Sequence, residues 1–138
     1  MLDFLKKPLA RFENREFMEA IVAGCTLVAA IDGHIDDSEK AKMMKLFNKI
    51  DELNVFEIQE IISVFNEVKQ MLEFDISVGK EGAMKLIRKI KSNRNNSRTA
   101  IHIYCAIGQA DGCFDDNEKS IIREICHELD FKPDEFEL

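Results

Sequence analysis

The sequence predicts an all-α protein of about seven helices, in which an internal duplication produces two helical hairpins joined by linking helices. Three observations support this prediction. Only two prolines and six glycines interrupt the 138 residues, 46% of the residues are hydrophobic, and apolar residues recur at the spacing of one helix face. A chain of this length can bury a core that is stable without disulfides or metals. Residues 1–138 are therefore predicted to form a single domain.

The duplication becomes visible when the sequence is shifted by 79 residues against itself. Six of the nine positions from 32 to 40 are then identical to positions 111 to 119. The repeat halves extend over about residues 17–50 and 96–129. Each half is predicted to contain a strongly apolar helix, a short loop beginning Asp-Gly, and an amphipathic helix.

In chain order, residues 1–13 are predicted to form an N-terminal arm, which either docks on the core or touches a membrane surface. The apolar segment Phe17 to Ile31 would be about 22 Å long as a helix, too short for a bilayer core of about 30 Å. We therefore expect a buried core helix there. The second helix of this hairpin is predicted to open at Asp36.

The linking helices are predicted near residues 55–72 and 76–91, where apolar residues recur at helical spacing. Residues 93–97 are predicted to be the loop before the second repeat, whose second helix opens at Asp115. Near the end of the sequence, Pro133 favours a short helical turn whose phenylalanines dock on the core.

Each loop is similar to the second half of an EF-hand loop, Asp-Gly-x-hydrophobic-x-x-x-Glu. The first copy runs from Asp32 to Glu39 in this register. The first and third ligand positions of an EF-hand would be Val28 and Ala30, which carry no carboxylate. Neither loop is therefore an EF-hand, but both are rich in the oxygen ligands that calcium and magnesium prefer.

The carboxylates shared by the two loops are the candidate metal ligands: Asp32, Asp36, Asp37, Glu39, Asp111, Asp115, Asp116 and Glu118. One loop alone has too few carboxylates to fill the shell of Ca²⁺ or Mg²⁺ without water. If the hairpins pack about a pseudo-two-fold axis, the two sets could converge on one site. Neighbouring carboxylates repel each other, so a bound cation would stabilise such a cluster.

The competing interpretation needs no metal. An Asp followed three residues later by Glu is the spacing of an N-terminal capping box, which Asp36 with Glu39 and Asp115 with Glu118 both have. Glycine after the first helix is typical of a helix C-cap. Capping explains Asp37 and Asp116 less well, because a helix needs only one cap.

Several segments outside the acidic loops point to a known family. They are the segment Arg11 to Met18, Leu53-Asn54-Val55-Phe56, Phe74-Asp75 with Gly79-Lys80, and Phe131-Lys132-Pro133-Asp134-Glu135-Phe136. Together with the paired Asp-Gly loops, they make the chain resemble the TerB family of tellurite-resistance proteins along almost its whole length.

This resemblance implies an all-helical, non-enzymatic protein whose clustered acidic residues bind a divalent cation. It also implies a stress-response system with TerC-type membrane proteins and TerD-type calcium-binding proteins as partners. We expect a cytoplasmic protein that reaches the inner face of the membrane only through such a partner. A helical module that binds a partner without any metal is the structural alternative.

Charge and cysteine content indicate which other functions the sequence favours or disfavours. The net charge of −7 disfavours a nucleic-acid partner. The basic residues of the second half are interpreted as a solvated helix face: Lys80, Lys85, Arg88, Lys89, Lys91, Arg94 and Arg98. The four cysteines form no Cys-x-x-Cys pair, which favours a reducing compartment. Thiol-dependent redox chemistry or soft-metal handling through Cys113 is the alternative function, although nearby carboxylates would raise its pKa.

Overall fold

The structure, a computed structural model, describes residues 3–31, 35–110 and 114–138, and only the backbone of residues 3–13. Within these ranges the chain is helical and contains no strand. The elements are α1 (Asp3–Ala30), α2 (Asp37–Asn48), α3 (Ile58–Phe74), α4 (Ile76–Arg88), α5 (Arg94–Gln109) and α6 (Asp116–Glu128), with 3-10 turns at Asp51–Leu53 and Pro133–Phe136. The predicted all-α class is confirmed.

Helix α1 is the centre of the fold. Its residues from Phe17 to Ala30 are buried on almost every face, because α3, α4, α5 and α6 all pack against this helix. The predicted buried core helix is therefore confirmed. The helix begins at Asp3, so most of the predicted arm and the first repeat helix are one continuous helix. In the described ranges, no helix has the length and apolar character needed to cross a membrane.

Two predicted boundaries differ from the structure. The first linking helix begins at Ile58 rather than near residue 55, because Glu57 and Glu60 form a capping box at that point. The predicted loop at residues 93–97 is wrong. The Asn93 side chain accepts a hydrogen bond from the Asn96 N–H at 3.0 Å and caps α5, which begins at Arg94. The preference of Asn for turns is also a preference for helix N-caps.

Five of the seven residues in the basic run bind other parts of the chain. Lys80 lies 2.8 Å from Glu124 across the α4–α6 boundary, and Arg88 Nε lies 2.9 Å from Glu128 Oε2. The others are Lys91, which pairs with Asp130, Arg98, which pairs with Glu135, and Arg94, which donates to the carbonyls of Leu129 and Asp130. Most of this face therefore fastens α4 and α5 to α6 and the C-terminal turn.

The C-terminal 3-10 turn docks on the core as predicted. Phe131 is buried, and its ring meets the ring of Phe136 edge to face at 5.8 Å. Phe136 in turn lies 4.9 Å from the ring of His102 on α5. These contacts attach the end of the chain to the second hairpin.

Candidate functional site

The two amphipathic helices begin in the same way. The Asp36 carboxylate accepts a hydrogen bond from the Glu39 N–H at 2.8 Å, and the Asp115 carboxylate accepts one from the Glu118 N–H at 2.8 Å. Both aspartates have extended backbones and lie immediately before the first helical residue. The predicted helix starts at these positions are confirmed, and so is the capping role of both aspartates.

At the start of α6 the predicted capping box is also present. The Glu118 side chain accepts a hydrogen bond from the Asp115 N–H at 3.3 Å, which completes the reciprocal pair. The N-terminus of a helix carries a partial positive charge, so carboxylates are stabilised there even without a cation. Capping therefore accounts for one carboxylate oxygen of each aspartate and for part of the role of Glu118.

Each helix start is anchored by an apolar residue at the hydrophobic position of the loop pattern. Ile35 is buried, and its counterpart Phe114 packs against the core. The larger Phe114 fits because Gly108 on α5 has no side chain, and a β-carbon at Gly108 would approach the ring to 2.6 Å. The Lys119 ammonium lies 5.5 Å from the centre of the same ring. The loops thus resemble each other in how they are anchored.

Asp37 and Asp116 occupy the first helical position after each cap, and both are exposed. Neither side chain is the capping group, so capping leaves these two carboxylates unexplained. Exposed carboxylates in the first turn are stabilised by the helix dipole by about 0.3–1 kcal/mol each. The structure therefore places two carboxylates in sequence at the start of α2 and again at the start of α6.

The remaining predicted ligands, Asp32 and Asp111, lie outside the described residues, as do Gly33 and Gly112. Among the residues that are described, no three His, Cys, Asp or Glu side chains are grouped closely enough to share a metal ion. A site with three or more such ligands at either loop would therefore need residues outside the described ranges, where Asp32 and Asp111 are the predicted ligands. The convergence of the two loops on one shared cation stays a prediction.

Three caps were missed by the sequence reasoning. They are the Glu57 cap of α3, the Asp75 cap of α4, which accepts from the Val78 N–H at 3.1 Å, and the Asn93 cap of α5. The signal for the first was the Glu57-x-x-Glu60 spacing, which resembles the spacing that identified Asp115. Asp75 thus has the same capping role as Asp36 and Asp115, but at a helix outside the acidic loops.

The cysteines in the described ranges are poor candidates for thiol chemistry. Cys25, Cys105 and Cys126 are buried and form no disulfide. Burial raises the pKa of all three thiols, and that of Cys126 reaches about 12, with Cys105 and Glu135 adding to the effect. Because the thiolate is the reactive form, these residues act as small hydrophobic side chains. Cys113 and its repeat counterpart His34 lie outside the described residues.

A concave region of about 610 Å³ lies between α4 and α6, and its lining includes the ion-paired residues Lys80, Glu81, Glu124 and Glu128. Glu124 Oε2 is shielded from solvent there, and the Lys80 ammonium 2.8 Å away balances its charge. Arg88 contacts both Glu81 and Glu128, and these carboxylates raise the pKa of its guanidinium. The region is thus a network of ion pairs that joins two helices.

The fold and the loops define a class: an all-helical protein in which two helices of opposite halves start from matched acidic loops. The family model for Tellurite resistance protein TerB matches residues 18–138. A Tellurium resistance protein TerB from an Alcaligenes species is 30% identical over 99 residues, which is 72% of this chain and 81% of that relative. The chain belongs to the TerB family of tellurite-resistance proteins. No solved structure matches it.

Proposed function

We propose that this chain is a non-enzymatic module of a tellurite-resistance or stress-response system that binds a divalent cation, Ca²⁺ or Mg²⁺, and interacts with other proteins of that system. One observation supports cation binding most. In both copies a capping aspartate is followed directly by a carboxylate that does not cap the helix, Asp36 by Asp37 and Asp115 by Asp116. One cap serves each helix, so the second carboxylate, which the helix dipole favours at this position, is left available to bind a cation.

The donor set fits a hard cation. All eight proposed ligands are carboxylates, and oxygen ligands of this type suit calcium and magnesium rather than a soft metal. Since the described carboxylates do not form a group of three, the proposed site requires Asp32 in the first loop and Asp111 in the second. Water would complete the coordination shell. When bound, the cation would neutralise the charge of the loops.

An enzymatic role has less support. The TerB family is named for tellurite resistance and not for a reaction. A thiol reaction would have to use Cys113, because burial raises the pKa of the three described cysteines. Proposed partners are other tellurite-resistance proteins of the TerC and TerD types, with the chain in the cytoplasm and reaching the membrane through such a partner.

Calorimetric titration of the full chain with CaCl₂ and with MgCl₂ tests cation binding. We expect binding with a dissociation constant of about 10⁻⁴–10⁻³ M, the range of sites with few charged ligands. Two variants remove proposed ligands: Asp32→Asn with Asp111→Asn, and Asp37→Asn with Asp116→Asn. Each should weaken binding at least about tenfold, which is about 1.4 kcal/mol.

The matched control is Asp75→Asn. Asp75 caps α4 through the same type of hydrogen bond but belongs to neither acidic loop. Asn is as good a cap as Asp, so the control should fold. Asp37 and Asp116 are exposed and are not the capping groups, so their substitution should not unfold the chain either. The control should bind like the wild type. The absence of any heat with either cation, or equal loss of binding in the control, would contradict the proposal and leave capping as the role of the acidic residues.

A further inference from the structure

A groove between α3 and α4 lies outside the acidic loops and is more apolar than the charged region between α4 and α6. It has a volume of about 670 Å³. Nine residues of the two helices line it and define what we call the α3–α4 groove: Glu67, Met71, Ser77, Val78, Glu81, Gly82, Lys85, Leu86 and Lys89. The interactions that build the fold leave this groove open.

Two glycines of α4 set the shape of the groove. A β-carbon at Gly79 would lie 2.5 Å from the Leu72 Cα atom, so α3 and α4 approach each other through their backbones at this point. One helix turn further along, the space beside Gly82 is occupied by the end of the Met71 side chain, 2.8 Å from the position of a β-carbon. The flexible thioether side chain of Met71 therefore forms the floor of the groove, and such a side chain adapts to an occupant.

Exposed apolar side chains continue the floor of the groove to the corner where α3 meets α4. Phe74 is 83% exposed, Ile76 50% and Val78 47%. Val78 belongs both to this corner and to the groove. Single exposed apolar residues are common, but a bulky aromatic residue beside two aliphatic ones and an apolar groove is a typical interaction surface. The exposed apolar residues of the corner and the groove therefore meet at Val78.

The charges around the groove are divided between its two walls. On the α4 wall, Lys85 and Lys89 form no ion pair with any described residue. On the α3 wall, Glu67 is exposed and likewise has no ion-pair partner within the described ranges. Glu81 also lines the α4 wall, but its carboxylate is paired with Arg88 at 2.7 Å. The charges without an ion pair among the described residues are therefore positive on the α4 wall and negative on the α3 wall, with an apolar floor between them.

We propose that the α3–α4 groove binds the same groove of a second copy of this chain, in a two-fold symmetric dimer. In such a contact each residue meets its complement twice, so the surface has to be self-complementary. Lys85 and Lys89 of one copy then face Glu67 of the partner subunit, and the reverse pair forms across the axis. The protruding apolar side chains, Phe74 and Val78 of each copy, pack between these pairs.

Other occupants fit the charges less well. An anionic lipid surface would be repelled by Glu67 and by Glu73 nearby on α3. A purely acidic peptide would satisfy the lysines and leave Glu67 unpaired. The net charge of −7 repels two copies at long range, but physiological salt screens charges beyond about 8 Å, so the contacts within the groove decide. This inference goes beyond cation binding and does not depend on it.

Sedimentation velocity of the full chain across a concentration series tests the dimer. We expect reversible dimerisation with a dissociation constant of about 10–100 µM, as for a small, transient interface. The variant with Lys85→Glu and Lys89→Glu places like charges opposite each other, and so does Glu67→Lys. Each variant alone should dimerise at least about tenfold more weakly than the wild type.

An equimolar mixture of the two variants is the decisive sample. In the mixed dimer, the glutamates introduced at positions 85 and 89 of the first variant face the lysine introduced at position 67 of the second. The native Glu67 of the first variant faces the native Lys85 and Lys89 of the second, so opposite charges meet on both sides. Dimerisation should therefore return to the wild-type level. The variant with Lys45→Glu and Lys49→Glu is the control, because it makes the same charge change on exposed residues at the end of α2 that do not line the groove. It should dimerise like the wild type.

Circular dichroism of every variant shows whether it is folded, and folded variants are required for each comparison. A wild-type chain that stays monomeric throughout the series overturns the proposal. So does a mixture of folded variants that fails to recover dimerisation. Co-sedimentation of a monomeric wild-type chain with anionic liposomes, lost in the Lys85→Glu and Lys89→Glu variant, would assign the face to a membrane and would likewise overturn the dimer.

Discussion

The ring of Tyr104 on α5 lies against Gly24 on α1, in the space that a β-carbon at position 24 would occupy. The Tyr104 hydroxyl donates a hydrogen bond to the Ala20 carbonyl, one helix turn earlier on α1. Tyr104 is completely buried, and burial raises the pKa of its hydroxyl. This contact joins α1 and α5, the first helices of the two predicted repeat halves.

Substitution Gly24→Ala should destabilise the fold, because the new methyl group overlaps a buried ring that has no room to move. Overpacking of this kind costs about 1–3 kcal/mol, reduced by the better helix propensity of alanine. Urea denaturation measures the change. Gly82→Ala is the control, since its methyl group meets only the flexible end of Met71 and should change stability much less. Equal losses in both variants would contradict the explanation.

Removal of the Asp115 cap should destabilise α6. Asp115→Ala loses the hydrogen bond to the Glu118 N–H and should cost about 1 kcal/mol, whereas Asp115→Asn retains a cap and should cost little. The urea midpoints of the two variants are compared in the absence of divalent cations. If Asn is as damaging as Ala, the charge of Asp115 matters more than its hydrogen bond.

Arg94 should stabilise the end of α6 through its guanidinium group. Its two terminal nitrogens donate to the Leu129 carbonyl at 2.6 Å and to the Asp130 carbonyl at 2.8 Å, and the group lies 4.0 Å from the centre of the Phe131 ring. Lysine cannot make this forked, stacked contact. Arg94→Lys should therefore cost about 1 kcal/mol or more in urea denaturation.

The control for Arg94 is Arg123→Lys, on an exposed face of α6. Surface changes of this type usually stay within about 0.5 kcal/mol. A variant at position 94 that is as stable as the control would show that the carbonyl contacts contribute nothing measurable.

Stability should fall above about pH 9 because of Cys126. Its pKa rises from 9.0 to about 12 in the folded protein, chiefly because the thiol is buried. Below pH 9 both states hold the proton, so the stabilising contribution is complete. Between about pH 9 and 12 only the unfolded state loses the proton, so stability decreases by at most about 1.4 kcal/mol per pH unit from this group.

Urea denaturation of the wild type and of Cys126→Ala at about pH 8 and about pH 10.5 measures this effect. The variant starts less stable because of the cavity that it creates, but it should lose less stability between the two pH values. Identical losses in both proteins would mean that Cys126 does not contribute to the alkaline transition.

Much of the fold follows from local patterns in the sequence. The burial of α1 from Phe17 onward follows from an apolar segment with few charges, and the starts of α2 and α6 follow from the Asp-x-x-Glu spacing. The N-cap role of Asn93 was missed because the same residue type is common in loops. Local preference alone does not separate these two uses.

The partners of the charged residues could not be predicted from the sequence. Arg88 and Lys89 are neighbours in the chain, yet Arg88 binds Glu128 while Lys89 lines an open groove. Which of them is paired depends on where α6 approaches α4, and that approach joins residues 40 positions apart. The candidate ligands were found from the repeat in the sequence. The distances between the ligands of the two loops depend, like these ion pairs, on how distant parts of the chain pack, and the sequence does not give them.

The central position of α1 has a consequence for synthesis in the cell. This helix leaves the ribosome before the helices that cover it, which include α5 and α6 further along the chain. During elongation the growing chain therefore carries a long, uncovered, strongly apolar segment, which is the type of surface that chaperones bind and that aggregates when chaperones are scarce. Native packing around α1 has to wait until α6 has been translated.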